Sequence, residues 1–402
     1  MHDVTLPLAG IKVIEICNVA AGPFCAMVLA DLGADVIKIE NPNGGDTLRS
    51  WPPHSGPDGN TFSENFASLN RNKRSVTLDL KQQTDREQAI VLAADADVLL
   101  ENNRPGVLTR LGLGYEVLRQ HNPRLIYCSI SAYGQHGPRA DEGGFDVTVQ
   151  AISGIMSVTG EKDGAPVKAG VPISDFAAGL YGAFAICAQL RRVAETGEGV
   201  HIDVPMMGAS LAIAALQVSE YFGSGKDPVK LGSAHPRNAP YQAFKARDDY
   251  FVMAAGTQNL WETACRLLNR EELIADPRFS TTALRARNQA PLKETFEMTF
   301  SSFSAQELID LLSRAGIPCS LINSYSRALS DPQSEHMGWA NPIVLANGVH
   351  TKTLGFPLQF NGKTPGIRMT APKLGQDQHI ISDSQNQGGE LTRPRARHKQ
   401  PQ

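Results

Sequence analysis

The 402-residue sequence is poor in cysteine, in aromatic side chains and in net charge. Its six cysteines (17, 25, 128, 187, 265 and 319) are scattered and never fall as CxxC. That spacing excludes a disulfide framework or a zinc cluster and fits reduced, buried thiols, as expected of a cytoplasmic protein. The ten histidines are equally dispersed and HExxH is absent, so no metal site is expected. A formal charge of −3 gives no basis for broad nucleic-acid binding. No apolar run approaches the ~20 residues of a membrane span, and the N-terminus lacks a charged segment leading into an apolar one. What remains, 42% hydrophobic and 20% charged residues, describes a folded globular chain with room for two domains.

The first forty residues read as strand (Gly10–Ile16), helix (Pro23–Leu32) and strand (Ala34–Glu40). Within ~30 residues this is a βαβ unit, which implies a parallel sheet with a right-handed crossover. Glu40 ends the second strand where a dinucleotide-binding fold would hold a ribose. The intervening loop, Asn18-Val19-Ala20-Ala21-Gly22-Pro23, is not GxGxxG, so a nicotinamide site lacks its fingerprint, although the turn can still present N–H groups at a helix start. Residues 41–68, rich in proline, glycine and polar side chains, read as a long loop. Leu69-Asn70-Arg71-Asn72-Lys73-Arg74 is a basic turn entering a strand, and its cations suit either solvent or phosphate groups.

Alternation of strand and helix continues, with strands at Ala96–Glu101, Arg124–Ile130 and Val200–Val204. The loops after Ile16, Glu101 and Ile130 are polar or glycine-rich, which points to one crevice at the ends of an open sheet. Residues 1–205 form the first unit of an α/β protein. A linker at Gly223–Gly232 leads to a smaller α+β domain over 223–320, with short strands around Asp248-Asp249 and helices at Leu260–Leu268, Ala290–Phe300 and Ala305–Ala315. His235 in its first loop reads as a backbone-bonded loop residue or, with a partner, as a catalytic one. Residues 383–402 are polar and basic and read as a disordered tail.

Within the first unit lies Val171-Pro172-Ile173-Ser174-Asp175-Phe176-Ala177-Ala178-Gly179, opening a long apolar helix. Ser174 or Asp175 there reads first as a helix cap. The small residues that follow would let another molecule approach closely, and a lone carboxylate at such a place also suits a nucleophile.

Taken together these segments resemble the class III CoA-transferase (CaiB/BaiF) family from Leu8 to about Ile381. The matching motifs include Ala21-Gly22-Pro23, Leu32-Gly33-Ala34-Asp35-Val36-Ile37-Lys38-Ile39-Glu40, Asn70-Arg71-Asn72-Lys73-Arg74-Ser75, Arg104-Pro105-Gly106, Ser174-Asp175-Phe176 and Thr196-Gly197-Glu198-Gly199. The resemblance implies a Rossmann-like large domain completed by residues 325–382, a small α+β domain, and an interlocked-ring homodimer. It implies Asp175 as the catalytic nucleophile, passing through an aspartyl anhydride and an aspartyl-CoA thioester. Coenzyme A, as the acyl-CoA substrate and not a tightly bound cofactor, is then expected against Asn18, Val19, Ala20, Ala21, Asn41, Leu69, Arg71, Asn72, Lys73, Asn102, Asn103, Arg104, Gly143, Gly144, Phe145 and Asp146.

Relatives of this kind use succinyl-CoA or acetyl-CoA with a dicarboxylate or hydroxy acid, whose free end calls for a cation; Arg49 and Arg237 read equally as that cation or as surface arginines. The nearest alternative is an α-methylacyl-CoA racemase, which pairs the aspartate with the histidine of Gly-His-Asp. Here that triplet is Gly144-Phe145-Asp146, and phenylalanine carries no proton to exchange. A non-catalytic CoA-binding protein is the alternative outside enzymes.

Overall fold

The computed structural model describes residues 6–387, with side chains to residue 383. It divides into two compact units, one of residues up to 155, 169–218 and 335 onward, the other of 156–168 and 219–334.

The first unit is built on six strands: β1 (Lys12–Ile16), β2 (Asp35–Glu40), β3 (Lys73–Thr77), β4 (Val98–Glu101), β5 (Ile126–Ser131) and β6 (Val200–Pro205). All neighbours pair in parallel, in the order β3-β2-β1-β4-β5-β6. Parallel strands covered on both faces carry near-continuous apolar runs, and every residue of β4 and β5 is buried. Side chains alternate between the faces. Val13, Val36, Val98, Cys128 and Ile130 enter one core cluster, and Ile14, Ile37, Leu99 and Tyr127 enter another. The strand order reverses direction between β1 and β4, and the crevice beyond the carboxyl ends at such a switch point is where open α/β sheets bind ligands.

Two helices shape that crevice. α1 (Ala21–Asp31) follows β1 directly, and α5 (Ile173–Thr196) packs across α1 and β5; the helices between them in the chain include α2 (Glu64–Asn70), α3 (Gln83–Ala94) and α4 (Asp146–Ile152). Gly179 is required where the two helices touch, since a Cβ there would stand 2.9 Å from both the Ala21 carbonyl oxygen and the Phe24 ring. Gly182 likewise faces Cys25 and Ile130. The small residues of this stretch therefore seat helix on helix and sheet, where the sequence suggested room for a ligand. α5 is long and apolar enough, by length and composition alone, to cross a bilayer, longer than the apolar runs read from sequence. Its Ala177, Ala178, Ala183 and Ile186 are instead buried in the first core.

α2 lies inside the stretch read as a long loop, started by Ser63, whose Oγ accepts from Phe66 N at 3.2 Å. The chain returns to this unit from residue 335, ending in the helix His379–Gln387, which takes in the first residues of the expected tail. Residues 388–402 of that tail lie outside the described residues.

The second unit holds three antiparallel strands, Tyr241–Lys245, Tyr250–Ala254 and Cys319–Leu321, over an aromatic core of Phe244, Phe251, Trp261, Phe296 and Phe300. It starts at 219, earlier than the linker suggested, runs to 334, and takes in residues 156–168 from before α5.

Candidate active site

Four segments meet at the carboxyl ends of β1, β4 and β5: the Asn18–Ala21 turn, the Asn102–Pro105 loop, the Glu142–Phe145 loop and the start of α5. They line a cleft of about 200 Å³ with Asp175 in its wall. The expected residues that it brings together are Asn18, Val19, Ala20, Ala21, Asn102, Asn103, Arg104, Gly143, Gly144, Phe145 and Asp175. Pro105, Ile130, Ser131, Ala132, Glu142 and Met206 complete the lining and were not foreseen. The glycine-rich end of β5 was the available signal for the loop, whereas Met206 arrives from the far side of the chain.

Asp175 is not a helix cap: α5 begins after Pro172 with no side-chain cap at all. Ser174 points away, its Oγ accepting from the Ser210 hydroxyl at 2.8 Å. The Asp175 carboxylate is half-buried, and among the described residues no cation pairs with it. Burial, and secondarily the neighbouring Asp146 carboxylate, push its pKa from 3.8 up to about 7. Asp146 itself is held in place: Oδ1 accepts from Ser174 N at 2.9 Å and Oδ2 from Gln150 Nε2 at 2.6 Å. Asp146 thus sits behind Asp175 and not in the cleft lining. Phe145, at 74% exposure, occupies the place where a proton-shuttling histidine would stand.

Arg104 is the cation of the cleft. It is exposed, has no ion pair among the described residues, and lies flat against Gly143, where a Cβ would come within 2.8 Å of Nε and Nη2. Its loop is tied to the opposite wall: Asn102 accepts from Asn18 N at 2.9 Å and donates to Asn18 O at 2.8 Å. Asn103 donates to Ile16 O at 3.2 Å, and Glu101 accepts from Asn103 N at 2.8 Å. The side chain of Asn102 therefore clasps the two walls together.

The basic turn after α2 is elsewhere. Arg71 is buried and bidentate on Asp31, at 3.1 and 2.6 Å. Asn72 donates to Asp31 at 2.8 Å and accepts from Arg368 N and Met369 N at 2.7 and 3.0 Å. Lys73, wholly buried, is paired with Glu15 at 2.9 Å. Leu69 packs among Leu48 and Phe66. Asn41 is exposed after β2, its Oδ1 accepting from Asn43 N at 2.8 Å. None of these five lines the cleft. A cation already facing a buried carboxylate has no charge to offer a phosphate, so the phosphate-binding reading of Arg71 and Lys73 gives way to a structural one.

Two further expectations change in the same way. Arg49 is bidentate on Glu40, at 2.8 and 2.6 Å, and stacks over Phe66. Glu40 is therefore an internal partner, not a ribose ligand. Arg237 pairs with Glu220 at 2.9 Å. His235 holds its own loop, Nδ1 accepting from Arg237 N and Asn238 N at 3.1 and 3.0 Å. The six cysteines are free, with Cys17, Cys25, Cys128 and Cys265 buried.

Comparison with known proteins identifies the family to which this doubly wound sheet belongs. CoA-transferase family III matches residues 8–378, and this chain belongs to that family and is a CoA-transferase. It is 36% identical over 375 residues to the succinate–glutarate CoA-transferase of Agrobacterium fabrum, covering 92% of this chain and 94% of the relative. It is 38% identical over 372 residues to the acetyl-CoA:oxalate CoA-transferase of Acetobacter aceti, covering 92% and 93%. The crystal structure of a CaiB/BaiF family protein from Brucella suis superposes with a TM-score of 0.83 at 38% identity, over 94% of this chain and 98% of that one.

Proposed function

We propose that the enzyme moves coenzyme A from succinyl-CoA or acetyl-CoA to a dicarboxylate or hydroxy acid, with Asp175 as the nucleophile. The observation that carries this is the Asp175 carboxylate itself, set in the wall of the cleft without a cation. A carboxylate paired with an arginine would be a poor nucleophile; this one, with a pKa near 7, is about half ionised at neutral pH and has no partner to abandon.

Asp175 attacks the thioester carbonyl of the donor, giving an acyl-aspartyl anhydride and releasing the CoA thiolate. The thiolate attacks the aspartyl carbonyl, giving an aspartyl-CoA thioester and the free donor acid. The acceptor carboxylate attacks that thioester, and the thiolate returns to the acceptor's acyl carbon, regenerating Asp175. Each step exchanges one acyl bond for another of similar energy, so no nucleotide is consumed. The N–H groups of Ala21 and Gly22, without intrahelical partners at the start of α1 beside the cleft, suit the developing oxyanions. Arg104 at the mouth suits a CoA phosphate.

The relatives that act on glutarate and oxalate support a dicarboxylate acceptor. With Arg49 and Arg237 both engaged, the acceptor's second carboxylate is not read by either of them in the arrangement seen. Racemisation is disfavoured because the cleft lining contains no histidine. The working molecule is proposed to be an interlocked homodimer in the cytoplasm. Leu180, Tyr181 and Phe184 make an exposed apolar face on α5, as an obligate interface requires, and free thiols fit a reducing compartment.

The test is chromatographic. Purified enzyme with either donor and glutarate or oxalate should form the acceptor's CoA thioester, and Asp175→Ala should form none. A mutant as active as the wild type refutes the assignment.

A further inference from the structure

Beneath the cleft lies a buried charge cluster that the chemistry above does not use. Lys38, wholly buried, donates to Glu15 Oε1 at 2.7 Å and to the carbonyl of Cys17 at 2.8 Å, and forms an ion pair with Asp46 Oδ2 at 2.9 Å. Lys73 donates to the carbonyl of Pro23 and to Asn70 Oδ1, each at 2.9 Å, and forms an ion pair with Glu15 Oε2 at 2.9 Å. Two cations and two carboxylates balance. Burial pushes both ammonium groups toward the neutral form; at Lys38 the facing Glu15 and Asp46 outweigh it.

The backbone atoms this cluster grips are not spread at random. Cys17 O and Pro23 O flank the cleft turn, and between them Val19 N donates to the second oxygen of Asp46, Oδ1, at 3.1 Å. Val19 is β-branched yet sits at φ +66°, a left-handed conformation that its side chain disfavours. A conformation of that kind persists only where the surroundings impose it. Here the turn is pinned at three points by Lys38, Asp46 and Lys73, and the residues it carries, Val19 to Ala21, form the cleft wall.

We propose that Asp46, backed by Lys38, is a positioning residue for CoA transfer, holding Val19 in its left-handed conformation so that the 18–21 turn is preset for the reacting acyl group. The effect on turnover rests on the transferase reading above; the grip on the turn does not. A misplacement of about 1 Å at such a wall costs on the order of 10²-fold in turnover without weakening distant binding contacts.

The experiment compares full-length wild type, Asp46→Asn, Val19→Gly and the double variant, with Asp31→Asn as a control that breaks a buried ion pair away from the turn. Hydrogen exchange followed by mass spectrometry reads the peptide spanning 17–24; donor kinetics with acetyl-CoA or succinyl-CoA read kcat and KM. Asp46→Asn should exchange at least about tenfold faster in that peptide. Its kcat should fall on the order of 10²-fold with KM within about threefold. Adding Val19→Gly should restore part of kcat, because glycine takes φ +66° without help. The proposal is overturned if the peptide keeps its protection, if kcat falls no further than in Asp31→Asn, or if glycine restores nothing. Should Asp46→Asn not fold alone, its exchange effect is read in the Val19→Gly background. If the wild type transfers no CoA from any donor, the transferase reading fails and the exchange result alone decides the positioning claim.

Discussion

Replacing Asp175 by asparagine should remove activity and, by the same argument, make the protein more stable. The carboxyl group has a pKa of about 7 in the folded chain against 3.8 ordinarily, so between those values unfolding releases a proton. Stability contributed by this group therefore falls as pH rises: the penalty is absent below about pH 4, grows through pH 5 and 6, and is complete above about pH 7. Roughly three units at 1.36 kcal/mol each set a ceiling of ~4 kcal/mol. Solvent reaching the half-buried carboxylate lowers this to about 2 kcal/mol. Asparagine keeps the shape without ionising. At roughly 2–4 °C per kcal/mol for a unit of this size, Asp175→Asn should melt about 4–8 °C above wild type at pH 8. The advantage should shrink to under about 2 °C at pH 4.5, because little of the penalty remains there. Differential scanning fluorimetry across that range reads both numbers. A variant that melts with or below the wild type at pH 8, or whose advantage grows toward acid, refutes the reading of Asp175 as a carboxylate held against its charge.

The same electrostatics should appear in kinetics: kcat/KM should rise with pH through a limb near 7, the ionisation of Asp175, and Asp146→Asn should move that limb to lower pH by removing the second cause of the shift. An unmoved limb would assign it to another group. Arg104→Ala should raise KM for the acyl-CoA by about 10- to 100-fold, the worth of one charge-assisted hydrogen bond, with kcat little changed; an unchanged KM would remove Arg104 from the binding site. Arg71→Ala should do the reverse. It strands buried Asp31 and should cost about 3–5 kcal/mol in denaturant unfolding, while KM for CoA stays within about twofold below the melting range, on the order of assay error for a residue making no ligand contact. A large KM effect there would return Arg71 to the phosphate site.

Much of the first unit was legible because its signals are local. Val13, Ile14 and Ile16 alternate with α1 and the strand Val36–Ile39 at the spacing of a βαβ unit, and the polar ends of β1, β4 and β5 pointed to one crevice. The residues that failed were those whose partners are distant in the chain. Arg71 and Lys73 look available in a basic turn, but Asp31 lies 40 positions before Arg71. Likewise Glu15, far upstream, neutralises Lys73. Arg49 was misread for a similar reason, since its partner Glu40 had been read as a ligand-binding strand end. The role of Asp46 was invisible because it depends on a backbone N–H that only the folded turn turns inward. The helix at Glu64–Asn70 was missed despite its Ser63 cap, because proline and glycine upstream outweighed a short apolar pattern. Residues 156–168 joined the second unit through contacts that no local pattern announces.

The most direct test of the central claim is chemical trapping of the nucleophile. The enzyme is incubated with succinyl-CoA or acetyl-CoA, quenched with hydroxylamine, digested and sequenced by mass spectrometry. An acyl-aspartyl or aspartyl-CoA intermediate predicts a hydroxamate on the peptide carrying Asp175, dependent on the donor and absent from Asp175→Ala. A hydroxamate on another carboxylate, or turnover of a donor with Asp175 unmodified throughout, would contradict it.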